Sequence, residues 1–195
     1  LSNYEWDRPL SLLSMGGDIN IGIKEYLMYE GFSFKFTPVK NKTSMYEVGF
    51  ADAEAIYRQM KEVFKWDALK RRDYFVDYQN LYTFCGVMPQ RNLFLNAARE
   101  LMKVNENEKA LEMLDMCMEC VPEENYPLDI SYLGFSNERI IVRIVDAYLS
   151  LGEKEKAAGL AERFTDKILE SVNFYIQYYD FAKNEFEDCC SILYY

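Results

Sequence analysis

The chain changes its hydrophobic period once, near residue 50. Before that point the clearest pattern is alternation. In YLMYEGFSFKFTPV, residues 26–39, Phe32, Phe34 and Phe36 fall on one side and Ser33, Lys35 and Thr37 on the other, with Glu30-Gly31 as the turn. This predicts one β-hairpin, whose second strand is kept short by Pro38. A lone hairpin is marginal in water, so the three phenylalanines are expected to pack on a helix.

From Asp52 the apolar positions recur at helical spacing. DAEAIYRQMKEVFKW places Ala53, Ile56, Met60, Val63 and Phe64 on one side of a helix that Asp52 can cap. Residues 67–78 read as a connection, and a short helix is expected over 79–85. After Pro89 the helical stretches come in pairs. RNLFLNAARELMKVN is followed across a short polar break by EKALEMLDMCMECVP, and NERIIVRIVDAYLSLG by EKEKAAGLAERFTDKIL. Aligning NENEKAL with GEKEKAA superimposes the two pairs at an offset of 47 residues, which marks an internal repeat.

In the second helix of the first pair, Ala110, Leu114 and Cys117 are followed by Pro122; in its first helix, Phe94, Ala97, Ala98 and Leu101 alternate large and small. That spacing resembles a tetratricopeptide repeat. Ile141, Ile144, Val145 and Tyr148, then Ala157, Ala161 and Phe164, take the same places in the second pair. The usual tryptophan of the first helix is missing, and no proline closes the second pair. The offset exceeds the usual repeat length of about 34; the excess lies in EENYPLDISYLGFS, where Pro127 and Gly134 predict a loop. The remainder, residues 173–195, reads as a further helix, an incomplete third pair acting as a cap.

The expected fold is therefore mainly α: a short N-terminal β-hairpin packed on helices, then tetratricopeptide-like antiparallel helix pairs of the α-α superhelix kind. Its divisions are an N-terminal segment over 1–50, linking helices over 51–88 and helical repeats over 89–195, together one compact unit.

The CxxC of ALEMLDMCMECVP, Cys117 to Cys120, is the first candidate for chemistry. On a helical wheel started at Ala110, Leu114 lies at about 40°, Cys117 at about −20° and Cys120 at about −80°, all on the apolar stripe. Glu112, Asp115 and Glu119 lie opposite. A redox pair usually sits at a helix N-terminus, where the amides favour thiolate; these cysteines lie in the last turns, where the dipole opposes it. Buried packing is the expectation, with thiol-redox chemistry as the alternative.

Composition narrows the remaining chemistry. The sequence has no histidine, which removes Ser/His/Asp and Cys/His catalysis and every histidine-containing zinc site. Its net charge of −10 repels nucleic acid, and Lys70-Arg71-Arg72 is too small a basic patch to reverse that. Five cysteines, Cys85, Cys117, Cys120, Cys189 and Cys190, lack the spacing of a disulfide scaffold. Cys189 and Cys190, adjacent on a helix, are expected to point to different sides. Tyr78 to Gln90 is the longest uncharged run and is too short to cross a bilayer, so the chain is expected to be soluble. It opens on LSNYEW, with neither an initiator Met nor a signal-peptide pattern, which suggests a piece of a longer chain. No cofactor or metal is implied.

Other features have plain readings. Glu123-Glu124 and Glu187-Asp188 read as surface charge rather than a two-carboxylate hydrolase site. Gly16-Gly17 reads as a turn, and Asn41-Lys42-Thr43 as a chance glycosylation pattern. The aromatic run Phe174 to Phe181 reads as a helix seam or subunit contact.

Three stretches together carry a more specific likeness: WDRPL, with Trp6, Arg8 and Pro9; GIKEYLMYEGFSFKFTPVK, Gly22 to Lys40; and FKWDAL ahead of the repeats. They resemble the C-terminal soluble tail of a family of bacterial multi-spanning membrane proteins similar to protein O-mannosyltransferases. The likeness implies a tail on the extracytoplasmic, periplasmic face of the inner membrane, joined to its own N-terminal membrane-spanning region. In such glycosyltransferases the catalytic acids belong to the spanning region, so the likeness carries no catalytic residue onto this chain.

The expected function is a non-catalytic interaction domain that binds a protein or peptide partner. Stacked helix pairs line a concave side with their first helices, and the candidates facing it are Asn92, Arg99, Lys103, Arg139 and Asp146. The alternative is a structural domain that self-associates, as a homo-oligomer, through Phe174 to Tyr195.

Overall fold

The computed structural model describes residues 9–13, 23–40, 50–73, 75–77, 89–129, 131–132 and 135–194. It is mainly helical, with a small N-terminal sheet. That sheet has four short strands in the order β1-β3-β2-β4: β1 Ser11–Leu12, β2 Leu27–Tyr29, β3 Phe34–Phe36 and β4 Phe50–Ala51. β3 pairs antiparallel with β1 and β2, and β4 runs parallel to β2.

The expected hairpin is β2–β3, in the register Tyr29 to Phe34. Its turn is longer than the alternating pattern suggests. The Glu30 N–H donates to the Ser33 carbonyl at 2.9 Å, and Gly31 takes φ +103°, a left-handed conformation that a side chain would strain. Phe32 thereby leaves the strand face that Phe34 and Phe36 were expected to share. It stands edge-on to Phe64 at 4.6 Å, the first contact in a chain of rings that runs through Trp66 to Phe94. This chain docks the hairpin's turn on the helices.

Asp52 caps α1, Ala53–Arg58, as expected: its Oδ1 accepts the Ala55 N–H at 2.9 Å. Ala53, Ile56 and Met60 are buried, but Val63 is 57% exposed. The cause is a π turn over Gln59–Val63, in which the Phe64 N–H reaches back five residues to the Gln59 carbonyl. The wider turn rotates Val63 off the apolar face. The Met60 carbonyl accepts the Trp66 indole N–H at 2.7 Å. A short α2, Asp67–Lys70, stands within the expected connection. The helix expected over 79–85 lies outside the described residues.

The two helix pairs are α3 Pro89–Lys103 with α4 Asn107–Cys120, and α5 Asn137–Ser150 with α6 Lys154–Tyr175. Pro89 stands at the first helical position, where its missing N–H costs nothing. The repeat is visible in the turns. Asn105 (φ +62°) and Gly152 (φ +85°) take left-handed conformations 47 residues apart. After each, the next N–H closes on an equivalent carbonyl at 2.9 Å: Glu106 on Leu101, Glu153 on Tyr148. Side-chain burial repeats as well, at Phe94 and Ile141, Ala110 and Ala157, Cys117 and Phe164, Val121 and Ile168. One buried cluster runs from Ala53 to Cys189.

The polar side of α4, Glu112, Asp115 and Glu119, serves three neighbours. Glu112 pairs with Lys61 at 2.7 Å and accepts the Tyr57 hydroxyl. Asp115 takes Lys156 at 2.7 Å and the Tyr148 hydroxyl at 3.1 Å. Glu119 takes Lys70 at 2.6 Å.

The stretch between the pairs, expected as a loop, is packed against the core. Tyr126 and Leu128 are buried in the core, and a small hairpin follows, β5 Ser131–Tyr132 with β6 Phe135–Ser136. Arg91, itself fully buried, binds the carbonyls of Val121 at 3.0 Å, Pro127 at 3.1 Å and Tyr126. Glu123 meets Arg163 at 3.0 Å and the Ser171 hydroxyl donates to Asp129 at 2.9 Å, so the stretch lies along α6. Beyond α6 the chain turns, and α7, Lys183–Tyr194, folds back on it with Cys189 inward and Cys190 outward.

Candidate partner-binding site

Asn92, Arg99 and Lys103 lie on α3, at intervals of seven and four residues; Arg139 and Asp146 lie on α5, seven apart. Each set therefore follows one face of its helix. The two helices pack side by side. Between them opens a pocket of about 290 Å³ lined by Arg99, Met102, Arg143, Asp146, Ala147 and Ser150.

Two of the five expected residues, Arg99 and Asp146, thus meet in one place. The other three stand elsewhere. Lys103 is drawn to Glu100, a carboxylate that is only 6% exposed. Asn92 is half-buried nearer the start of α3, and Arg139 is exposed in the first turn of α5. Arg143 and Ser150 were not among the expected residues, although the spacing held the signal: 143 and 150 lie four residues beyond 139 and 146 on the same face.

The N-terminal sheet reaches α3 through Tyr29. The Tyr29 side chain hydrogen-bonds Asn96 and lies near Glu100, and burial pushes its hydroxyl up to about 12. The equivalent side of α3 is thus occupied by the sheet. On α5 the Ser150 hydroxyl donates to the Asp146 backbone carbonyl at 2.8 Å, leaving the Asp146 carboxylate to the pocket. Neither Arg99 nor Arg143 makes an ion pair or hydrogen bond among the described residues.

The cysteine pair has the opposite character. Cys117 and Cys120 are buried, and burial pushes the Cys117 thiol up to about 12 and raises that of Cys120. Such thiols are poor nucleophiles. No group of three or more Cys, Asp or Glu side chains converges on a metal-sized site among the described residues. Glu123 is engaged by Arg163, Glu187 by Lys183 at 3.6 Å, Lys70 by Glu119 and Arg71 by Asp73 at 2.6 Å. Cys85, Trp6, Arg8, Gly16-Gly17 and Asn41 to Thr43 lie outside the described residues.

The aromatic run is open to solvent rather than sealed in a seam. Phe174 is 57% exposed and Phe181 93%, with Tyr194 on α7 also 93% exposed. Among the described residues no helix is long and apolar enough to cross a membrane. No protein-family model, no curated protein and no solved structure matches the chain.

Proposed function

We propose that this chain is a non-catalytic interaction domain that holds an extended segment of a partner or acceptor protein against the first helices of its repeats. The observation that supports this is the open, charged pocket between α3 and α5, whose two arginines make no ion pair among the described residues although Asp146 stands in the same lining. The likeness of its N-terminal motifs sets the context: the tail of a membrane-bound, glycosyltransferase-like protein on the periplasmic face, where it would bring acceptor or partner to the spanning region. The test is site-specific photocrosslinking in cells. A crosslinker at position 99 or 146 should capture a polypeptide that one at Glu162, exposed on α6, does not. Equal capture from all three positions defeats the reading.

A second reading is favoured by one observation, the exposed aromatic cluster over Phe174 to Tyr194. Exposed aromatic area of this density is typical of surfaces that are covered in use. Self-association through it predicts a dimer that Phe181→Asp dissociates. Light scattering that finds a monomer at every concentration rules it out.

A further inference from the structure

We infer that Arg99 and Arg143 form a carboxylate-binding site, which takes an acidic side chain or a chain-terminal carboxylate of an extended peptide; this rests on the reading of the α3–α5 face as a partner surface. The inference starts from charge. The chain carries 32 acidic and 22 basic residues, and several of its described cations are held by its own acids, as Lys61 is by Glu112, Lys156 by Asp115 and Lys103 by Glu100. Among the described residues Arg99 and Arg143 make no ion pair or hydrogen bond, and they stand on two different helices around one pocket. A guanidinium presents a planar fork of donors that matches a carboxylate, and two of them placed about one anion select for charge and shape together.

Asp146 in the same lining decides which anion. A doubly charged phosphate would meet a carboxylate beside its two arginines, whereas a single carboxylate leaves Asp146 to accept a peptide N–H of the same ligand. Met102 and Ala147 supply an apolar floor for the methylenes of a side chain. The volume of about 290 Å³ suits a residue or two of a peptide, not a folded domain.

The test uses fluorescein-labelled eight-residue probes of a Gly/Ser/Leu frame in four forms: a central Glu, a central Gln or a central phosphoserine with an amidated end, and a central Gln with a free C-terminal carboxylate. Anisotropy is read alongside hydrogen exchange over 99–103 and 139–150. One or both carboxylate probes should bind about fivefold tighter than the amidated Gln probe, a preference that fades with salt. Which one does so identifies the source. Arg99→Gln and Arg143→Gln should each remove the preference, and Asp146→Asn should strengthen acidic binding, which a purely structural Asp146 would not do. Probes that protect the face equally whatever their charge overturn the carboxylate assignment while leaving the partner surface standing. No binding by any probe, or a phosphoserine probe that outcompetes the Glu probe, also overturns the assignment, and the crosslinking test judges the surface separately.

Discussion

Arg91→Met tests the least expected contact in the fold. Arg91 is buried without a carboxylate and spends its guanidinium on three carbonyls, those of Val121, Tyr126 and Pro127. Bonds from a charged donor contribute about 2 kcal/mol each, so three give about 6. Against this stands the cost of holding the charge out of water. Burial pushes the guanidinium down to about 10 from an ordinary 12.5, a shift worth about 3 kcal/mol. The difference leaves Arg91 net stabilising by about 3 kcal/mol. Methionine keeps most of the volume and removes the donors, so it should cost that amount.

In urea, with a slope of about 2 kcal/mol per molar for a domain of this size, the midpoint should fall by about 1.5 M with the slope unchanged. Hydrogen exchange should accelerate first over 121–129, the stretch that Arg91 latches. Arg91→Lys should rescue little, because one ammonium cannot span carbonyls of residues 121, 126 and 127 at once. A midpoint equal to or above that of the parent protein would refute the reasoning. It would place this arginine among buried charges that hydrophobic residues replace without loss.

Cysteine burial and the repeated turn can be tested in the same way. In a Cys85→Ser background, Cys190 should react with a maleimide at the rate of an exposed thiol while Cys117 and Cys120 wait for unfolding; native labelling of Cys117 at the Cys190 rate would sink the packing reading. The raised Cys117 value also implies stability that is complete below about pH 9 and lost as the pH climbs towards 12. Arg91, shifted down, acts in the opposite sense, so the thiol's share is read as the difference in alkaline slope between the parent and Cys117→Ala. At the second turn, Gly152→Ala should cost about 1 kcal/mol, a Tm lower by about 3 °C, with no clash because the added Cβ meets nothing within 4 Å. Gly152→Asn should cost clearly less, since Asn105 already holds the equivalent conformation; equal losses would count against the backbone explanation.

How much of this was legible in the sequence depended on how local each cause is. The helix pairs were, because period, turn chemistry and burial all repeat at 47 residues and reinforce one another. The cysteines were too, because a wheel places Cys117 on the buried stripe whatever covers it. The π turn was not: one extra residue in a turn leaves no mark on composition, yet it exposes Val63. Strands β1 and β4, two residues each, are too short to show a period. Tyr126 and Leu128 were assigned to a loop because Pro127, Gly134 and the excess over the repeat length point to one, and the residue that holds their backbone inward, Arg91, lies some 30 positions earlier. The site was half legible. The first-helix rule found Arg99 and Asp146, but only the assembled structure shows that the sheet takes up Asn96 and Glu100 and so restricts what remains.

The two repeats also show how such a pocket arises from divergence between copies. At the 47-residue offset, Asn96 corresponds to Arg143, Glu100 to Ala147 and Lys103 to Ser150. In the first copy these positions close on themselves: Asn96 meets Tyr29, and Lys103 is neutralised by Glu100. In the second copy the residue one turn beyond Arg143 is alanine where the first copy has glutamate, so no carboxylate stands at the i+4 place that Glu100 fills relative to Asn96. Asp146, three residues on, makes no ion pair with Arg143, and an arginine placed ahead of its acid is the weaker arrangement along a helix. The first repeat thus engages these positions with the N-terminal sheet and with one another, while the second carries Arg143 there without an ion pair among the described residues. On the proposed reading, Arg143 and Arg99 are answered by an acid from outside the chain.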